Sequence, residues 1–220
     1  PLSSLSLPDG YAFNSLMASA RPAARMPRAT NPEDTAEIVY TAAMSGWLMG
    51  AELTHSNLFL NTLFCSQLQE YRPDDRCFSA LPLFHTFGQT GMMHAPLMSG
   101  STLHLFYKFD PAAALECFTQ EQITIAGLVP TMCHYLVLAR PHETYNLSTL
   151  RAPVVGGAKM PLELARRFRE RFNRPLMEGY GLTETSPVVS YNIDEPVERA
   201  GSVGRPVPYC YVRITDNAGN

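Results

Sequence analysis

The sequence predicts an α/β fold: a largely parallel sheet with helices on both faces and a β-rich C-terminal end. Three observations carry this. Short apolar runs alternate with stretches of helical pattern between about residues 76 and 178. Several helical stretches open on or near proline, at Pro111, Pro130 and Pro161, where the missing N–H costs nothing because first-turn donors lack an intrahelical partner. From Val188 onward the helical periodicity stops and proline and charged residues become more frequent. Strands that alternate with helices require crossover connections, which are right-handed and leave both faces of a parallel sheet covered.

Taken in order, residues 1–33 are rich in Pro, Ser and Ala and read as a linker or irregular lead-in, with a possible short helix at Asn14–Ala20. A strand begins near Ala36, followed by a loop of small residues and a helix from about Ser56 to Gln69. A polar turn at 71–76 leads to a short apolar strand beginning at Cys77, and Gly88–Met98 reads as a Met-rich helix. The alternation then runs strand Thr102–Tyr107, helix Pro111–Gln120, strand Thr124–Leu128 and helix Pro130–Ala139. It continues with strand Ala152–Val155, helix Pro161–Phe172 and strand Leu176–Glu178. The expected division is 1–33 lead-in, 34–187 α/β core and 188–220 the start of a β-rich subdomain. Tyr211–Asp216 alternates like a strand entering a hairpin turn at Asn217–Asn220, so the chain reads as an internal fragment of a longer one. In open α/β sheets ligands sit beyond the C-terminal ends of the strands. The loops at 41–50, 82–88, 156–160 and 179–185 each follow an expected strand, so one sheet edge is expected to carry all four.

The 220 residues are 45% apolar and 17% charged with a net charge of −3, a globular composition that gives no basic face for nucleic acid. Arg166, Arg167, Arg169, Arg171 and Arg174 cluster, and at helical spacing they read as a solvated surface rather than a phosphate site. The five cysteines form no CxxC pair, so reduced, mostly buried thiols in a cytoplasmic protein are expected. The six histidines show no metal spacing. The apolar run Ile38–Ala51 falls short of the roughly 20 residues that a membrane span needs, and Glu37 and Glu52 flank it. Nothing in the sequence bears on oligomeric state.

The chemistry concentrates at Glu178-Gly179-Tyr180-Gly181-Leu182-Thr183-Glu184. Two glycines flank Tyr180 and permit a sharp turn and close approach to a flat ligand. Tyr180 offers a rigid aromatic face. Thr183 is a neutral donor suited to a phosphate oxygen, and Glu184 is a hard oxygen ligand suited to Mg²⁺. Three other segments accompany it: Leu81-Pro82-Leu83-Phe84-His85-Thr86-Phe87-Gly88, Val154-Val155-Gly156-Gly157-Ala158, and Gly201-Ser202-Val203-Gly204-Arg205-Pro206.

In this order and spacing, from about Asp34 to Gly219, the four motifs resemble the adenylate-forming superfamily, on its acyl-CoA synthetase side. The resemblance implies an acid–thiol ligase that activates a carboxylic acid with ATP to an acyl-AMP and transfers the acyl group to coenzyme A. It implies that Tyr180 stacks on the adenine, with Glu178, Gly179 and Gly181 around it and Gly156, Gly157 and Ala158 lining the base and the acyl carboxylate. Thr183 would touch the α-phosphate, Glu184 would hold Mg²⁺, and His85 would sit near the acyl carbonyl where the thiol arrives. The expected acid is a medium or long fatty acid, its pocket lined from segments 82–98 and 124–133 and near Val154, with Met92, Met93, Met98 and Met132 as adaptable or plain core side chains.

The phosphate loop departs from the family form YTSGTTGxPKG. Tyr40-Thr41 and Thr54-His55-Ser56-Asn57 keep its frame, but between them only Ser45, Gly46 and Gly50 join Thr41 as remnants. Ala42, Ala43, Met44, Leu48 and Met49 replace a Ser, a Gly, a Thr, the Pro and the Lys. Hydrogen bonds to charged groups contribute roughly 1.5–3 kcal/mol each, so the loop loses grip on the β- and γ-phosphates. The family's ribose Asp, hinge and C-terminal catalytic Lys are expected beyond Asn220, so this chain alone is expected to be inactive. The alternatives are a degenerate, non-catalytic relative that binds acyl chains, nucleotide or a protein partner, and an acyl-adenylate transferase with a non-CoA acceptor.

Overall fold

The structure is a computed structural model that describes residues 30–42, 48–140, 142–192 and 201–219. Residues 32–220 form one compact unit; the helix expected at Asn14–Ala20 lies outside the described residues.

Seven strands form one mixed sheet: β3 (Arg76–Ser79), β4 (Thr102–Leu105), β5 (Ile125–Leu128), β6 (Ala152–Val155), β7 (Met177–Gly181), β8 (Val188–Tyr191) and β9 (Arg205–Pro206). Their order across the sheet is β4-β3-β5-β6-β7-β8-β9. The first five are parallel, whereas β8 and β9 run antiparallel to their neighbours. The helices are α1 (His55–Leu68), α2 (Ala95–Met98), α3 (Pro111–Gln120), α4 (Pro130–Leu138) and α5 (Leu162–Phe172).

Pleating sends alternate side chains to opposite faces, and two cores result. Phe78, Ala126, Leu128 and Val155 pack with Phe118 of α3, Leu136 of α4 and Phe168 of α5 on one face. Cys77, Ile125, Ala152 and Val154 pack with Cys65 of α1 and with Met92 on the other. Both faces of the parallel region are therefore covered, and its strands are buried on both sides, which is why they read as apolar runs instead of alternating ones.

Local chemistry explains the helix starts. Thr54 caps α1: its hydroxyl accepts the Asn57 N–H at 3.2 Å, while Asn57 Oδ1 accepts the Thr54 N–H at 3.0 Å. Asp110 caps α3 by accepting the Ala113 N–H at 2.8 Å. The basic helix α5 divides its arginines between two roles. Arg166, Arg167 and Arg169 are exposed, as expected, and Arg166 pairs with Glu163 and Glu170. Arg171 instead donates to the carbonyls of Leu136, Val137, Ala139 and Arg140 at the end of α4, and Arg174 to those of Leu147 and Ser148. Arg171 thus satisfies carbonyls that α4 leaves open, and Arg174, just past the end of α5, fastens the chain to the 147–148 turn.

The structure departs from the sequence expectation in four places. The segment around residues 41–50 follows no strand of the main sheet: β1 (Thr35–Ala42) and β2 (Leu48–Thr54) pair only with each other, as an antiparallel hairpin. The Met-rich helix opens as a π-helix over Phe87–His94 before continuing as α2. The Ala95 N–H reaches back to the Thr90 carbonyl, and the Gly91 carbonyl accepts the Tyr71 hydroxyl at 2.9 Å, which offers the backbone a partner outside the helix. Strand β7 continues through Gly181, because β8 pairs with Gly179, Tyr180 and Gly181. Tyr211–Asp216 is not a strand. No described strand pairs with it, and Tyr211 and Ile214 are almost fully exposed, although Asp216 does accept the Gly219 N–H at 3.0 Å in the expected turn.

Candidate active site

A cavity of about 500 Å³ opens beyond the C-terminal ends of β6 and β7 and runs down between α1 and the sheet. The mouth carries Thr41, Met49, His85, Tyr180, Thr183 and Glu184. The inner wall carries Cys65, Gln69, Gly91, Val154, Val188 and Tyr191. Four of the chemistry-bearing segments thus meet at one place, but the first arrives from the hairpin rather than from the sheet edge.

Strand β7 and its turn are held tightly. A Cβ at Gly181 would lie 2.1 Å from the Pro187 carbonyl oxygen, so only glycine lets the two strands approach there. Asn61 on α1 grips the turn from the side: its Nδ2 donates to the carbonyls of Thr185 at 3.1 Å and Val188 at 3.0 Å, and its Oδ1 accepts the Val188 N–H at 3.1 Å. These bonds set Thr183 and Glu184, in the short 3₁₀ turn Thr183–Thr185, at the rim.

Gly156 and Gly179 sit side by side at the ends of β6 and β7, where a Cβ on Gly156 would meet the Gly179 carbonyl oxygen at 3.4 Å and the Phe87 ring at 3.6 Å, both ordinary contacts. Tyr180, 45% exposed, borders the main cavity and a second one of about 390 Å³ behind it. Gly157, Gly179 and Gly181 line both, whereas Ala158 and Glu178 line only the second, with Lys159, Gly201 and Val203. Glu178 is buried and its carboxylate accepts the Met160 N–H at 3.0 Å, fastening the 156–160 loop to β7. Its position is therefore that of a brace for the loop.

His85 is exposed at the rim, and its Nδ1 accepts the Phe87 N–H at 3.2 Å. That bond leaves Nε2 as the protonated nitrogen of the neutral ring. Of the phosphate-loop remnants, Thr41 lines the cavity, paired across the hairpin with Met49. Gly50 pairs with Tyr40 and does not line the cavity. Ser45 and Gly46 lie outside the described residues. Glu184 is the one carboxylate among the lining residues, no Lys or Arg is among them, and no group of three metal-ligating side chains occurs among the described residues. A lone carboxylate fits Mg²⁺ only where phosphate oxygens and water supply the remaining ligands, which is the usual habit of that ion.

The expected pocket lining needs correction. Met92 is fully buried in the core, with its side chain against Gly127, and Met93, Met98 and Met132 do not border the cavity; segment 124–133 contributes nothing to it. Segment 82–98 does line it, through His85, Thr86, Phe87 and Gly91, as does Val154, and α1 and β8 supply the rest of the inner wall. Cys65 and Tyr191 there are neutral, since burial pushes the Cys65 thiol up to about 12 and raises the Tyr191 hydroxyl further. The cavity therefore has a polar mouth and an uncharged interior, suited to a ligand that is polar at one end and apolar at the other. Asn61, Gln69 and Tyr191 carry no motif, and only the pairing of α1 with β6–β8 reveals them. The five cysteines are free, four of them buried. No described helix is long and apolar enough to cross a membrane.

The chain is similar to the indoleacetate–CoA ligase of Aromatoleum aromaticum, 33% identical over 216 residues, covering 97% of this chain and 42% of that protein. It is 30% identical over 185 residues to the long-chain-fatty-acid–CoA ligase of Bacillus subtilis, covering 83% of this chain and 33% of the relative. Among solved structures, ATP-bound MatB from Rhodopseudomonas palustris superposes with a TM-score of 0.79 at 27% identity, covering 90% of this chain and 38% of that one. The chain thus spans less than half the length of these relatives. With a family model described as "AMP-binding enzyme" matching residues 5–220, the chain belongs to the AMP-binding enzyme family.

Proposed function

We propose that this chain forms the acid- and nucleotide-binding half of an acid–CoA ligase. The acid carboxylate attacks the α-phosphate of ATP to give acyl-AMP and pyrophosphate. The CoA thiol then attacks the acyl carbon and releases AMP. The observation that carries this reading is the meeting of Tyr180, Thr183, Glu184, Gly156 and His85, from three separate stretches of chain, around one cavity with a neutral interior.

Each residue has a role that follows from its place. The part of the cavity lined by Gly156, Gly157 and Gly179 receives the flat base, with Tyr180 against its face and the loop held by Glu178. Thr183 donates to an α-phosphate oxygen. Glu184 anchors Mg²⁺, which would neutralise phosphate charge. His85, with Nε2 as donor, stands where the acyl carbonyl and the arriving thiol meet. Ligation proceeds mainly through positioning and stabilisation of developing charge. The acid enters the inner cavity tail first; both a fatty acid and an aryl acid suit its uncharged walls, and the similar proteins include a ligase named for each.

A second reading, a non-catalytic relative, is favoured by one observation. Met49 lines the mouth where the family carries its phosphate-loop Lys, and no cation replaces it among the lining residues. We expect the 220-residue chain to bind AMP in titration calorimetry, to lose about 10- to 100-fold affinity on Tyr180→Ala, as stacking contributions imply, and to show no ATP–pyrophosphate exchange. Absence of AMP binding would sink the nucleotide-site assignment, and exchange by this chain would sink the non-catalytic reading.

A further inference from the structure

The inner end of the cavity stops on packed core. Cys65, Val154 and Tyr191 on its wall belong to one buried cluster with Tyr71, Met92 and Ala152, and none of those last three borders the cavity. The region beneath is tied shut. Arg151 donates to the carbonyls of Gln69 and Glu70 and to the buried Asp75, and the Tyr71 hydroxyl donates to the Gly91 carbonyl. A close-packed core holds few voids and resists any group pushed into it.

The depth can be read from the sheet. Gly156, just past β6, borders the cavity, and so does Val154 lower down that strand. Ala152, the next β6 residue in the same cluster, does not, nor does Met177, which pairs with Val154. Two strand residues at about 3.3 Å each make the inner chamber about 7 Å deep below Gly156. Tyr191 reaches that lower end. It pairs with Gly179, one register step above, and its hydroxyl donates to the Met177 sulfur at 3.6 Å. Gly91 and Cys65 are the small residues of the inner wall and leave breadth at that depth.

We propose that Tyr191 is a specificity-determining residue that ends the acid pocket, and that the acid is a compact aryl acid of one or two fused rings rather than a long-chain fatty acid. The inference rests on the acid-binding reading above, with the carboxylate at the level of Gly156 and His85. An extended chain advances roughly 1.2 Å per bond, a third of the reach of one extended residue. About six bonds therefore fill the depth of the chamber. A longer chain meets Tyr191 and has to displace packed core. A ring places its carbons across the chamber instead, with Phe87 and Tyr191 as aromatic walls.

The test uses the 220-residue chain with AMP present. Calorimetry follows straight-chain acids from hexanoate to tetradecanoate, kept below micelle formation, beside phenylacetate and indole-3-acetate. In an open pocket each added CH₂ strengthens binding about fourfold. Here the gain is expected to stop at about eight carbons, with a loss of about tenfold or more by dodecanoate, and both aryl acids are expected to bind at least as tightly as octanoate. Tyr191→Ala is expected to move the cut-off to longer chains. Unbroken gain through tetradecanoate would overturn the proposal while leaving the acid site standing, and aryl acids weaker than octanoate would do the same. An unmoved cut-off in Tyr191→Ala, on protein that still binds AMP, would overturn the role of Tyr191. No acid binding at all, with AMP still bound, would overturn the acid-binding reading and this inference together. The unmutated series decides the length of the pocket even if Tyr191→Ala fails to fold.

Discussion

Strand β7 and the β1–β2 hairpin border the mouth of one cavity, yet they are built under opposite constraints. Strand β7 lies between β6 and β8. Its Glu178 is buried against the Met160 N–H, its Gly181 admits no Cβ, and Asn61 makes three hydrogen bonds to the turn that follows. The hairpin has two strands and joins no larger sheet. Ile38, Tyr40, Leu48 and Met49 on it are each more than half exposed. Its described links to the rest of the fold gather at its base: Gln89 donates to Glu37 at 2.5 Å, Leu53 is buried, and β2 runs directly into α1. A two-stranded hairpin alone is marginal in water, and sparsely packed segments open at low free energy. The wall that keeps the family's residues is the one where packing and chemistry coincide. The wall that has lost them is, among its described residues, buried only at Leu53, and its Ile38, Tyr40, Leu48 and Met49 lie outside the core.

That contrast can be broken or sharpened experimentally. Gly181→Val should have the largest effect, because the new side chain meets backbone rather than a movable group. A loss of about 3 kcal/mol or more is expected, above the usual range for overpacking, read as a lowered urea midpoint with AMP binding lost. A near-neutral result would mean that β7 is less constrained than its geometry indicates. Asn61→Ala should follow, at about 2–3 kcal/mol, since it leaves two carbonyls and one N–H of the turn without their partner. Hydrogen exchange should localise the loss to residues 183–188; protection unchanged there would refute the bracing role. Met49→Lys should be the mildest for the fold, shifting stability by no more than about 0.5 kcal/mol, as exposed sites do. Its effect should appear in ligand choice: ATP affinity rising about tenfold, the equivalent of roughly 1.4 kcal/mol, with AMP affinity unchanged. Equal gains for both nucleotides would place the new charge away from the β- and γ-phosphates.

The corrections share one cause. Residues whose role depends on a local rule were legible: prolines opening α3 and α4, apolar runs for the strands buried on both faces, and the Tyr180–Glu184 turn. Residues whose role depends on what another segment brings to them were not. Within the π-helix at Phe87–His94, the Gly91 carbonyl is taken up by Tyr71, twenty residues away. By type the methionines fitted pocket lining and core equally well, and the structure decides for the core at Met92, which fills the space that Gly127 leaves in β5. Tyr211–Asp216 alternates correctly, but a strand needs a partner, and none of the described strands pairs with it.

The sequence by itself therefore determined the class of fold, the order of its parallel units, the family and the residues at the mouth of the cavity, because periodicity, helix starts and short motifs are written within a few consecutive positions. Tertiary structure decided that the phosphate-loop frame is a hairpin outside the sheet and that Glu178 braces a loop. It also decided that α1 and β8 contribute to the inner wall. Those outcomes rest on contacts between residues 18 to 127 positions apart, and no local pattern encodes a distance of that kind.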